Sequence, residues 1–245
     1  MKPLASLDLL NAWEQGLGRG AAERALILLR LATGAEECGD DPARWPIGQR
    51  DVCLLDLRES VFGSLVDGVA SCPECGVQQE FQMPVAQMRV APLSGGVALA
   101  LVSGEYQVDF RLPDSLDLCE LEADAGADGD LSRRLLQSCV THATAGERAV
   151  TAAELPEGVV QQISECMSQA DPQAEIDLSL ECPGCAHRWC EPFDIASFLW
   201  TELGAWASRT LFDVHQLAAA YGWSEAESLS LSPRRRGLYL EMIAG

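Results

Sequence analysis

The sequence predicts an α+β fold in which a small β ribbon, split between two distant cysteine knuckles, is carried by helices at both ends of the chain. Three observations predict it. Cys72-Pro73-Glu74-Cys75-Gly76 and Cys182-Pro183-Gly184-Cys185-Ala186 are two C-P-x-C tips. Their flanks resemble one another, Val69-Ala70-Ser71 matching Leu178-Ser179-Leu180-Glu181 before the tips and Val85-Ala86-Gln87-Met88 matching Ile195-Ala196-Ser197-Phe198 after them. Apolar residues recur at helical spacing ahead of the first tip and beyond the second.

A C-P-x-C tip presents two thiolates on one side of a tight turn. Proline fixes φ, and the small residue after the second cysteine lets backbone amides approach the sulfurs. Two tips supply the four ligands of a tetrahedral thiolate site, which fits one structural zinc per chain held by Cys72, Cys75, Cys182 and Cys185. The 106 residues between the pairs far exceed the roughly fifteen to twenty of a contiguous ribbon. Loop closure costs only about 0.6 kcal/mol per doubling of length, however, whereas structural zinc supplies roughly 10–16 kcal/mol, so a whole subdomain can be inserted. Two arrangements compete with this duplicated strand–knuckle–strand–helix unit. The second tip could bind its own metal through Cys182, Cys185, His187 and Cys190, or the thiols could stay reduced without metal.

The elements follow in order. Residues 1–65 read as a helical cap: Leu9, Leu10, Trp13 and Leu17 lie on one helix, and Ala22, Ala25, Leu26 and Leu29 on a second after Gly20. A loop covers Gly39 to Pro42 and Trp45 to Gly48, and a third helix begins near Gln49, with Gly63 as its stop. Residues 66–91 are the first knuckle half. An insertion at 92–173 opens with a hairpin, Val97 to Val102 and Tyr106 to Arg111, joined by Ser103-Gly104-Glu105. Leu112 to Asp130 holds seven carboxylates and no basic residue, and reads as a solvated loop or helix edge. Helices are expected over 130–142 and 156–169, with a capping box at Thr151 to Glu154. Residues 174–193 are the second knuckle half.

In the C-terminal region, 194–245, an apolar stripe from Ile195 to Tyr221 predicts a helix on the order of 40 Å long, stopped at Gly222. Ser224-Glu225-Ala226-Glu227 caps a short helix, and Ser232-Pro233 starts a last one. Arg234, Arg235 and Arg236 open that helix at the end where the macrodipole disfavours cations. An acidic contact, within the fold or on a partner, would account for them, as would simple solvation. His215 is expected to be a packing residue, most of Trp189, Trp200, Trp206 and Trp223 to be core, and Cys38, Cys53, Cys119, Cys139 and Cys166 to be filler.

Composition excludes several classes. The net charge is −20 and Lys2 is the single lysine beside sixteen arginines. That balance opposes nucleic-acid binding, which draws on cationic contacts to phosphate. No apolar run is long enough to span a bilayer, and Met1 to Asp8 has no h-region, so a cytoplasmic chain with no membrane segment is expected. Histidine occurs only at 142, 187 and 215, and no G-x-S-x-G, H-E-x-x-H or P-loop is present. Gly16-Leu17-Gly18-Arg19-Gly20 reads as a helix break. Four thiolates would leave a metal no open position, so no enzymatic role is expected.

The last fifty residues, above all Val214-His215-Gln216-Leu217-Ala218-Ala219-Ala220-Tyr221-Gly222-Trp223-Ser224-Glu225-Ala226-Glu227 and Leu231 to Ile243 with its Arg234-Arg235-Arg236 and Tyr239-Leu240, resemble the tail of the phage T4 baseplate hub family. With the paired C-P-x-C tips added, the chain resembles zinc-ribbon baseplate proteins of phage-tail-like contractile injection systems. The resemblance implies a non-enzymatic structural part or assembly factor whose partners are baseplate, hub or tube proteins, with Arg234, Arg235, Arg236 and Tyr239 as contact residues. A free cytoplasmic chaperone for a tail component, or a zinc-ribbon regulator acting with nucleic acid, are the alternatives.

Overall fold

A computed structural model describes residues 4–34, 41–90, 99–124 and 130–244. Helices α1 (Ser6–Gly16), α2 (Ala21–Thr33) and α3 (Ile47–Phe62) precede an antiparallel hairpin of β1 (Leu65–Ser71) and β2 (Gln78–Pro84). Strand β2 runs directly into a 3-10 turn, Val85–Met88. A second hairpin, β7 (Asp177–Glu181) with β8 (Arg188–Pro192), leads into the 27-residue helix α7 (Ile195–Tyr221). Between the hairpins lie β3 (Leu99–Ser103), β4 (Tyr106–Phe110), α4 (Ser115–Ala123), α5 (Leu131–Cys139), β5 (Val140–Ala145), β6 (Arg148–Ala149) and α6 (Glu157–Ala170). Helices α8 (Glu225–Ser230) and α9 (Pro233–Ala244) close the described chain.

Two apolar cores result. The larger joins α1, α2 and α3 to both hairpins and to the first half of α7 through Leu28, Leu29, Leu54, Val66, Leu178 and Leu199. The smaller lies inside the intervening segment, where Val108, Phe110, Leu136, Leu155 and Ile163 pack the sheet on α5 and α6. Side chains of the intervening segment tie the two together. Glu122 accepts from the amide of Ala22 at 3.0 and 3.1 Å, and Asp171 accepts from Gly48 at 2.8 Å, so α2 and α3 are each capped by a carboxylate from a hundred or more positions away. Buried Gln173 accepts from Val90 at 2.6 Å and donates to the Met88 carbonyl at 3.0 Å.

Several elements depart from the sequence reading. The expected helix over 130–142 stops at Cys139, and Val140 to Ala145 is a strand, so His142 sits in a sheet of order β3-β4-β5-β6. Val140, Thr141 and Thr144 are β-branched, and pairing from Tyr106↔Ala145 to Phe110↔Val140 satisfies their backbone better than another helical turn would. The acidic stretch is not simply solvated. Asp114 caps α4 and is 3% exposed, and Asp117, at 4%, takes both terminal nitrogens of Arg111 at 2.7 Å. Val97 of the expected first hairpin strand, Cys38 and Asp128 lie outside the described residues.

Candidate metal centre

Each hairpin closes over its knuckle in the same way. The Cys72 amide donates to the Val77 carbonyl at 2.9 Å and Gly76 to the Cys72 carbonyl at 2.9 Å; Cys182 donates to His187 at 2.8 Å and Ala186 to Cys182 at 2.9 Å. These bonds force the residue after the second cysteine into left-handed backbone, φ 72° at Gly76 and 58° at Ala186. Ala186 is the one non-glycine residue at positive φ among the described residues. Glycine meets that demand without strain, while alanine bears it.

The two tips face one another, and all four sulfurs lie within 4.8 Å of one another. They cross-pair. Cys72 Sγ is 3.7 Å from Cys185 Sγ, and Cys75 Sγ is 3.5 Å from Cys182 Sγ. In each pairing a buried first cysteine meets an exposed second one, as an approximate two-fold axis requires. A tetrahedral cation with sulfur ligands near 2.3 Å would hold its sulfurs about 3.8 Å apart, and the two cross-pair separations of 3.7 and 3.5 Å fall just below that value. The donor set is wholly thiolate, which suits zinc or iron and leaves no open position.

Protonation fits the same demand. Burial opposes ionisation of Cys182, but the amides of Cys185 and Gly184 and the Cys75 thiol draw its pKa down to about 7. Cys185 has the His187 amide in its favour, yet burial and the neighbouring thiols Cys75, Cys182 and Cys72 push it up to about 12. Without a cation, four sulfurs this close share protons rather than all ionise. The competing ligand set is not assembled among the described residues: His187 stacks on Trp189 with ring centroids 6.2 Å apart, exposed Cys190 lies on β8 opposite Ser179, and neither joins the sulfur cluster. Of the cysteines expected as filler, Cys53 and Cys119 lie against the larger core and Cys166 against the smaller. Cys139 is fully buried, and burial pushes its thiol up to about 11.

The residues expected at a partner contact divide. Arg234 and Arg235 are exposed on the first turn of α9. Arg236 instead turns inward, 5% exposed, with Nε 3.8 Å from Asp213 on α7, which identifies the acidic contact as one inside the fold. Tyr239 is half-buried in a three-ring cluster: Gly222, at φ 69°, ends α7 and lets Trp223 fold back over Tyr221 at 4.8 Å, and Tyr239 sets its edge against Trp223 at 4.9 Å. The spacing of Arg236, Tyr239 and Leu240 was the available signal, since these positions share one helix face. His215 is exposed, not packed. Trp189, Trp200 and Trp206 do pack against the larger core.

A family model described as T4 bacteriophage base plate protein matches residues 31–200, and the chain belongs to that family. The match contains both knuckles and the whole segment between them, but ends within α7, ahead of the Tyr221-Gly222-Trp223 tail. No curated protein and no solved structure matches the chain.

Proposed function

We infer, from membership of the base plate protein family, that this chain is a non-enzymatic structural component of the baseplate or hub of a contractile tail or tail-like injection system. It is made in the cytoplasm and then built into the particle. Cys72, Cys75, Cys182 and Cys185 hold one structural zinc that fastens the two ends of the main core together, with 66–91 and 174–193 as halves of one ribbon and 92–173 as its insertion. The convergence of four sulfurs from knuckles 107 positions apart carries this reading. A scaffold bearing load between other subunits gains from such a tie, because zinc binding is itself folding free energy. No described helix is long and apolar enough to cross a membrane.

The docking surface lies on α7 and α9. Phe212 on α7 and Leu238 and Met242 on α9 are 60%, 49% and 69% exposed, and Arg234 and Arg235 are exposed on the first turn of α9 in an otherwise acidic chain. An apolar patch rimmed by polar groups marks an interaction surface, here for a baseplate, hub or tube protein with acidic groups around an apolar centre. Arg234→Glu with Arg235→Glu and Met242→Glu is expected to abolish co-purification with assembled particles while leaving the melting temperature unchanged. Unchanged recovery in particles would overturn the docking assignment.

A further inference from the structure

A second surface has the chemistry of a binding site. Where the intervening segment meets the main core, a cleft of about 910 Å³ opens between α2, α3, α4, α5 and the base of the second hairpin. Its walls are aliphatic: Ala25 and Ile47 on one side, Leu118, Leu121, Leu131 and Leu135 on the other. Leu131 is 54% exposed, although Leu135 and it form an apolar pair one helical turn apart.

The charges around the cleft are unbalanced. Asp51, Glu122, Glu175, Asp177 and Asp194 line it, against Arg50 alone among the described residues. Arg50 is 6% exposed, and its Nε donates to Asp51 at 2.8 Å. Its two terminal nitrogens make no hydrogen bond among the described residues. Among the described residues the buried side-chain atoms left without a partner are on Ser115 and Arg236 and not on Arg50, so its terminal nitrogens are not orphaned, and an acceptor from outside would take the place of water there. A free carboxylate would meet repulsion from the surrounding acids, whereas main-chain carbonyls carry partial charge alone. Burial, opposed by Arg50 and reinforced by Asp194 and Asp171, raises the Asp51 pKa to about 6.

The geometry points to a docking groove for a basic amphipathic helix of another protein, its leucine-like face against the aliphatic walls, its lysines or arginines toward the carboxylates, and its terminal carbonyls on Arg50. The carboxylates come from α3, α4, the segment before and at the start of β7, and the cap of α7, too widely spread for one small cation and suited to several charges on one segment. This groove is separate from the α7–α9 surface.

The test uses the full chain and a short fluorescein-labelled amphipathic peptide of leucine and lysine, beside a leucine–glutamate counterpart. The lysine peptide is expected to bind saturably, the glutamate peptide not at all. Leu131→Arg with Asp177→Lys, both at exposed positions, should weaken binding about tenfold or more; the charge-matched pair Val69→Arg with Glu105→Lys, outside the cleft, should leave it unchanged. A photo-leucine version of the peptide should cross-link to α4 or α5 of the native protein, a readout that stands even if a variant folds poorly. Absence of saturable binding overturns the proposal, as does equal weakening by both variant pairs, which would mean diffuse attraction to an acidic chain. Cross-links confined to α7 and α9 also overturn it, as does a dimer in sedimentation that the Leu131 variant dissolves, which would assign the cleft to a second copy.

Discussion

The two cysteine hairpins begin alike and end differently. Both have a first cysteine 2% exposed, the same pair of backbone bonds across the tip, and a fully buried aliphatic residue after the second strand, Val85 in one and Ile195 in the other. After β2 the chain makes one 3-10 turn and leaves, with Pro84 in the cap position and no side-chain cap. After β8, Asp194 accepts from the amides of Ala196 and Ser197 at 2.9 and 3.2 Å, and 27 residues of helix follow. Asp194 stands where the first half has Pro84 and adds a side-chain cap, although proline in that place does not forbid a helix, since Pro46 and Pro156 precede α3 and α6. The first half contributes two of the four clustered sulfurs and part of the core, and the second half adds the arm on which the docking surface is proposed.

If both halves serve one site, removing either must be equally costly. Cys72→Ser and Cys182→Ser are each expected to abolish metal-linked stability, on the order of 10 kcal/mol, so that thermal melts of the two variants coincide with each other and with chelated native protein. A clearly milder loss for Cys72→Ser would break the equivalence. The next largest effect tests the arm. Arg58 on α3, 2% exposed, holds Glu202 of α7 through two bonds of 2.9 Å and the Gly63 carbonyl at 2.8 Å, linking the helix that leads into the first hairpin to the one that leaves the second. Arg58→Met should cost about 3 kcal/mol in denaturant unfolding, because Glu202 is left without its partner in a partly buried place.

Proton linkage probes the same junction, where Asp51 of α3 faces Asp194. Burial raises the Asp51 pKa from 3.8 to about 6 in the folded protein. The fold thus binds this proton more tightly than the unfolded chain does, so its contribution is greatest below pH 3.8 and is lost as pH rises to about 6. The difference in stability between native protein and Asp51→Asn is expected to change by about 3 kcal/mol across that window and to stay flat above it. A pH-independent difference in unfolding would contradict the assignment. The smallest effect separates the tips themselves. Gly76→Ala should destabilise by about 1 kcal/mol and Ala186→Gly should stabilise by a similar amount, since both positions need left-handed backbone and only one has the residue suited to it.

Much of this asymmetry was legible in the sequence. The C-P-x-C tips, the gapless match of the segments that follow them, and the Asp194 and Gly222 boundaries of α7 are local signals, and local signals survive without tertiary information. Strand β5 was not legible, because Val140 to Ala145 becomes a strand only when β4 is beside it. Nor were the caps that Glu122 and Asp171 place on distant helices, since a carboxylate in an acidic run carries no mark of the amide it will meet. The resemblance read from the tail reached the family that the matched model establishes over 31–200. At the site, the four cysteines announced themselves by spacing, whereas the inward turn of Arg236 was masked by two identical neighbours that face solvent.

Metal content per chain, measured by native mass spectrometry on the full-length protein and on Cys75→Ser and Cys185→Ser, bears most directly on the shared centre. One zinc in the native protein and none in either variant is the expected result. Two zincs in the native protein, or one retained by Cys75→Ser, would mean that the second knuckle binds alone and that the hairpins meet for some other reason.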